Sequence, residues 1–202
     1  MPRKPVRDWF VSTEAAAMIG VSKARLNVMV RTGLFPNTET PRGINLLYRA
    51  DIERVKKAIT LAQQTPSACN RQGWRTIIID DKDTIKKVLE NQNGNEGFGQ
   101  EFDKLLLVVT DLRYFNKNRE LFQPYIDGGM YAQSVLYALH FEHIAACPLS
   151  ASLKREQEEH IRSILRLPEA EVPILLIGIG NYPEDKCQTT RSERKEPDIQ
   201  VI

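Results

Sequence analysis

The chain has 202 residues, 42% hydrophobic and 27% charged, a balance that supports a packed core and excludes general disorder. Its net charge of +2 conceals a division: residues 1–60 carry 11 basic and 5 acidic side chains, and residues 61–202 carry 17 and 21. A front part at +6 and a remainder at −4 predict segments with different partners, because only a basic segment gains from counterion release beside a polyanion.

Cys69, Cys147 and Cys187 are widely spaced, form no Cys-x-x-Cys pair and are odd in number, which fits a reducing cytosol. No apolar run approaches the roughly 18–20 residues that span a bilayer, and the basic start MPRKPVRDWF has no apolar stretch behind it. The expectation is a cytoplasmic protein without membrane association.

In chain order, Ser12 and Thr13 precede Ala15, Ala16 and Ile19, the pattern of a short capped helix over about residues 13–19. Gly20 breaks it. Ser22 can cap a second helix carrying Ala24, Leu26, Val28, Met29 and Val30, which stops at Thr32-Gly33. Two short helices across a tight Gly-containing turn are a helix-turn-helix signal. Pro36, a polar stretch through Pro41-Arg42-Gly43 and an extended Leu46-Leu47-Tyr48 follow, reading as a hairpin and strand.

From residue 51 the pattern becomes mixed α/β. Residues 51–64 predict a helix with Ile52, Val55, Ile59 and Ala62 on one stripe. The loop TPSACNRQGW precedes the β-branched strand 75–80, a helix over 82–90 and the Gly/Asn-rich NQNGNEGFGQ. Residues 105–110 form an unalternating apolar run, the mark of a strand covered on both faces. A long helix over 126–141, strands over 144–149 and 172–180, and a helix at about 154–166 complete a layered sheet. No Pro/Gly/Ser-rich spacer separates residues 50–64, so the helix 51–64 is shared by both parts and predicts a rigid junction.

His140 and His143 are three apart, yet no third or fourth ligand stands at a suitable spacing, so no metal site is read here. Cys69 has no His near it in sequence, and His143 is separated from Cys147 by a turn; both thiols read as small core residues, not nucleophiles. Asp127-Gly128-Gly129 reads as close packing at a cofactor or subunit interface and not as acid–base chemistry.

The segments STEAAAMIGVSKARLNVMVRTGLFP and PRGINLLYRADIERV, about residues 9–56, resemble the winged helix-turn-helix of the MerR and excisionase type. That resemblance implies a module over residues 1–56 that sets Ser22, Lys23, Arg25 and Asn27 in the major groove of duplex DNA, with Arg42 and Arg49 on phosphate. The plainer alternative is a solvated basic face on a docking element.

The loop TPSACNRQGW offers a hydroxyl and two amides at Ser67, Asn70 and Gln72, which can read the polar edge of a planar heterocycle, although Pro, Ser and Asn also make ordinary turns. In order, PSACNRQGW, RTIIIDD, GNEGFG, KLLLVVTDLRYF, YIDGGMYAQSVLYALHFEHIAACPLS, LPEAEVPILLIGIGNYPED and RSERKEP resemble the nitroreductase family of flavoproteins. The resemblance implies an α+β fold, a three-layer α/β/α sheet domain over residues 51–202. It further implies FMN held non-covalently at a homodimer interface, reduced by NADH or NADPH and reoxidised by a small acceptor such as a nitroaromatic or quinone. Carried over by position, Ser67, Asn70 and Gln72 meet the isoalloxazine and ribityl groups. Pro148, Leu149 and Ser150 pass the flavin face, and Arg191, Arg194 and Lys195 meet the phosphate. No side-chain acid or base is implied as catalytic.

The chain departs from the family at its front. Members begin with a segment like Arg-Arg-Ser-x-Arg-x-Phe shortly before the flavin loop, whereas here Arg3-Lys4-Pro5-Val6-Arg7 lies far upstream of Asn70. Either Arg3 and Arg7 still reach the flavin across an inserted module, or the family's first contact with phosphate and ribityl oxygens is lost, and loss is the expectation. The alternative function is a DNA-binding transcriptional regulator whose nitroreductase-like part dimerises or senses flavin.

Overall fold

The computed structural model describes residues 9–11, 37–39, 45–48, 52–115, 117–182 and 193–201. Three short strands, β1 (Trp9–Val11), β2 (Asn37–Glu39) and β3 (Asn45–Tyr48), form an antiparallel sheet in the order β1-β3-β2. Trp9 faces Tyr48 in register, and Asn37 faces Leu47. The expected strand at Leu46-Leu47-Tyr48 is present as part of β3, while β1 was not anticipated. The expected helices over 13–19 and 22–31 lie outside the described residues, as do Ser22, Lys23, Arg25, Asn27, Arg42 and Arg49.

Helix α1 (Ile52–Ala62) buries Val55, Ala58 and Ala62. It leads through the 65–73 loop into β4 (Trp74–Ile79), followed by α2 (Lys82–Leu89), β5 (Lys104–Asp111), α3 (Gln123–Phe141), β6 (Ile144–Ser150), α4 (Arg155–Leu165) and β7 (Glu171–Asn181). The four long strands form one antiparallel sheet in the order β4-β5-β7-β6. Each expected element of this part is found, with no end moved by more than three residues. The largest change is α3, which begins at Gln123, because Pro124 in its first turn lacks only an amide that would be orphaned there anyway.

The period-two geometry of a strand divides β5 between two cores. Leu106 and Val108 join Val55, Ala58, Trp74, Tyr131, Val135 and Leu139 under α1 and α3. Leu105, Leu107 and Val109 join Ile85, Val88, Leu149, Ile161 and Leu176 under α2 and α4. This is the three-layer α/β/α arrangement, with the sheet sealed on both faces. Gly128 lets α3 come down onto the sheet: a Cβ there would stand 2.5 Å from Thr110 Oγ1. At the start of β5, fully buried Lys104 is neutralised by Asp80 at 3.0 Å and Asp103 at 2.6 Å.

Candidate functional site at the 65–73 loop and the end of β6

The connection from α1 to β4 is polar, tightly folded and conformationally unusual. Cys69, Asn70 and Gln72 have φ of 53°, 53° and 51°, the left-handed region that costs non-glycine residues energy through the contact of Cβ with the following carbonyl. Such strain persists only where surrounding contacts impose it. The Ala68 amide donates to Asp127 Oδ2 at 3.1 Å, the Gln72 amide donates to Ser67 Oγ at 3.0 Å, and the Asn70 amide donates to the Ser67 carbonyl at 3.0 Å. Thr65 closes the start of the loop by donating to the Ala62 carbonyl at 2.7 Å.

This backbone leaves the side chains of Asn70 and Gln72 exposed beside one another, with Gln72 Nε2 3.0 Å from Asn70 Oδ1. Primary amides both donate and accept, so the pair suits the edge of a polar, planar ligand. Ser67 stands apart from them in role, because its hydroxyl closes the loop. The loop rests on a firm base: Trp74 is buried, stacks on Tyr131 with centroids 4.9 Å apart, and donates from Nε1 to Gln63 Oε1 at 3.1 Å. Tyr131 also shares a hydrogen bond with Thr76, and burial pushes its phenol above the ordinary range.

Asp127 contributes more than the close packing expected of the Asp127-Gly128-Gly129 segment. It is 1% exposed, and its carboxyl oxygens accept from the Ala68 amide and from Gln123 Nε2, the latter at 2.7 Å. A lone buried carboxylate in the second turn of an apolar helix was the available signal. Cys69 is also corrected, since it is exposed at the tip of the loop and not a core thiol. Cys147 is half-buried on β6, and desolvation pushes its thiol upward.

Pro148, Leu149 and Ser150 end β6, an outer strand of the sheet, where a proline's missing amide is tolerated. Pro148 and Ser150 are exposed, while Leu149 is buried in the core beneath α4, so its side chain is unavailable to a ligand there. Gln92 Nε2 donates to the Ser150 carbonyl at 3.1 Å, and the Ser152 amide donates to Ser150 Oγ at 3.0 Å. The 65–73 loop enters at the opposite edge. Strand order therefore separates the two segments by three inter-strand spacings, about 14 Å. Arg194 and Lys195 are exposed in irregular chain, and Arg191 lies outside the described residues.

A shallow cleft of about 510 Å³ along the outer face of α1 is lined by Glu53, Lys56, Lys57, Thr60, Leu61 and Gln64. Among the described residues, its lining comes from one face of α1 and gathers no convergent donor set. Among the described residues, no helix is long and apolar enough to cross a membrane.

No protein-family model matches the chain. It is 27% identical over 139 residues to an Archaeoglobus fulgidus protein provisionally named NADH dehydrogenase/NAD(P)H nitroreductase, covering 67% of this chain and 74% of that protein. Among solved structures, an FMN-dependent nitroreductase from Clostridium difficile superposes with a TM-score of 0.58 at 18% identity, covering 77% of this chain and 84% of the other. A Staphylococcus epidermidis protein provisionally named NAD(P)H:FMN oxidoreductase gives a TM-score of 0.60 at 20% identity, covering 72% and 84%. The chain has the nitroreductase-type α+β fold and is similar in sequence to a protein named for that activity.

Proposed function

We propose that the protein is an FMN-dependent oxidoreductase of nitroreductase type, which uses NADH or NADPH to reduce a small acceptor such as a nitroaromatic or quinone. The observation that carries this reading is the 65–73 loop, whose left-handed backbone holds the Asn70 and Gln72 amides exposed at the start of β4. The donor set fits an isoalloxazine, whose edge alternates hydrogen-bond acceptors and a donor. FMN supplies the hydride acceptor and donor, and the protein supplies orientation and electrostatics. Asn70 and Gln72 read the polar edge, Pro148 and Ser150 lie along the ring face, and Leu149 contributes only its main chain. Arg191, Arg194 and Lys195 meet the phosphate. Loss of the family's first arginine segment weakens that end, since each charged hydrogen bond is worth about 1.5–3 kcal/mol.

The active form in this reading is a homodimer. The two flavin-facing segments lie on opposite edges of the sheet, so a second copy brings its own segment to each cofactor. α3 also carries an exposed apolar face of Tyr125, Ile126, Met130, Tyr137 and Phe141, and patches of this kind mark interfaces. The purified protein is expected to be yellow, to oxidise NADH or NADPH with a quinone, and to elute as a dimer. A colourless protein that neither quenches FMN fluorescence nor gains thermal stability from FMN defeats the reading.

A second role at the N-terminus is favoured by one observation: β2 and β3 pair as a hairpin and β1 joins it from before residues 12–36, the strand order of a winged helix. In this reading Ser22, Lys23, Arg25 and Asn27 face duplex DNA and Arg42 and Arg49 meet phosphate. Salt-sensitive duplex binding that is lost on K23E/R25E supports it, and no gel shift at low salt removes it.

A further inference from the structure

Arg71 sits inside the flavin loop, between Asn70 and Gln72, yet its side chain turns away from them. Its guanidinium binds three acceptors: Nε donates to the Ala68 carbonyl at 3.0 Å, Nη1 to the Tyr114 carbonyl at 3.1 Å, and Nη2 to Glu120 Oε1 at 3.0 Å. Its Cζ also lies 4.7 Å from the centroid of the Phe115 ring, within cation–π range. Only 20% of the Arg71 side chain and 16% of the Glu120 side chain remain exposed, and among the described residues Glu120 Oε2 has no hydrogen-bond partner.

The contact is close-fitting on both sides. A Cβ at Gly73 would stand 3.0 Å from the Phe115 ring and 3.3 Å from Tyr114 Cβ, and the Asp111 amide donates to the Gly73 carbonyl at 2.8 Å. Tyr114, Phe115 and Glu120 are therefore pressed against the same loop that carries the left-handed residues. Only a planar fork with donors on three nitrogens satisfies this arrangement, and a lysine ammonium at this distance cannot stack and reach all three acceptors.

We propose that Arg71 is a positioning residue that clamps the flavin loop onto the turn residues Tyr114 and Glu120 and thereby imposes the backbone that presents Asn70 and Gln72 to the cofactor. The purpose of the clamp rests on the flavin reading; its existence does not. Bridging Ala68 to Tyr114 and Glu120 opposes relaxation of φ at Cys69, Asn70 and Gln72 toward ordinary values. It also couples the loop to the turn that leads into the exposed Leu121 and Phe122 before α3.

The test compares wild type, R71K, R71M and R71M/E120L by amide hydrogen exchange of the apoprotein and by titration with FMN, read as fluorescence quenching. R71M is expected to speed exchange across residues 66–73 and to weaken FMN by about ten- to hundredfold, with R71K intermediate. In R71M/E120L no charge is stranded, so the thermal midpoint recovers, but leucine and methionine cannot donate to Ala68 and Tyr114. The loop is then expected to stay loose and FMN to stay weak. The double variant also carries the test where R71M fails to fold. The proposal is overturned where exchange in 66–73 stays within about twofold of wild type, or where the double variant recovers stability and FMN affinity together. A wild type that binds no FMN defeats the flavin reading, while the exchange comparison still decides the clamp.

Discussion

β5 and the 65–73 loop flank β4 in the chain, and they are held by opposite means. All seven residues from Lys104 to Thr110 are buried, Leu105 to Thr110 lie between β4 and β7, and the strand is pressed between two hydrophobic clusters. Redundant, nondirectional burial maintains β5. The loop buries little, adopts a costly backbone, and depends on single polar contacts with Asp127, Tyr114 and Glu120, more than forty residues away. The difference teaches that stability and ligand geometry are stored in separate places, so each can be removed without the other.

The largest effect should come from the core. Leu107→Ala empties a fully buried site between β5 and the α2/α4 layer and is expected to cost about 2–5 kcal/mol in urea unfolding. FMN affinity per folded molecule should stay near wild type. Asp127→Ala is the converse, removing the acceptor that serves both the Ala68 amide and Gln123. It should cost about 1–3 kcal/mol and weaken FMN out of proportion. Equal proportional losses in both variants would merge the two regions into one cooperative unit.

The same contrast governs what was legible in the sequence. The Leu105–Thr110 run, the Ile-rich β4 and the helical stripes of α1 and α2 declare themselves because each pattern is local and repeated. At the candidate site, Ser67, Asn70 and Gln72 were visible as residue types in a turn-rich loop, but their division of labour was not. Ser67 closes the loop and Leu149 packs into the core, facts set by hydrogen bonding and strand register, which no local pattern encodes. Asp127 and Arg71 were missed as anchors because their partners are 59, 43 and 49 residues distant in sequence. β1 was missed because three residues of strand leave no period to detect.

A smaller effect separates charge from shape at the loop's far anchor. The hydrogen bond from Arg71, opposed in part by desolvation, holds the Glu120 carboxyl below its ordinary value of 4.5, with further help from the positive fields of Arg71 and Lys117. A carboxylate depressed in the folded state contributes stability that is complete above the unfolded value and is lost as pH falls through the folded one. The stability difference between wild type and Glu120→Gln should therefore be greatest above about pH 4.5 and shrink below it, as measured by urea midpoints across an acid series. A difference that grows on acidification has the wrong sign for this ion pair.

The smallest expected effect is also the most selective. Cys69 is exposed, lies at φ 53°, and its side chain holds neither the loop nor the candidate ligand. Glycine adopts that conformation freely, which relieves about 1–2 kcal/mol of steric cost, while the greater freedom of the unfolded chain takes back about 0.4–1 kcal/mol. Cys69→Gly should thus raise stability by up to about 1.6 kcal/mol in urea unfolding, against the ordinary tendency of glycine to destabilise. Because Asn70 and Gln72 keep their side chains and the Arg71 and Asp127 anchors remain, FMN affinity should hold or improve slightly. If Cys69→Gly instead destabilises the protein and weakens FMN together, the loop is not under the strain that its backbone angles describe. The anchors would then be holding a relaxed turn.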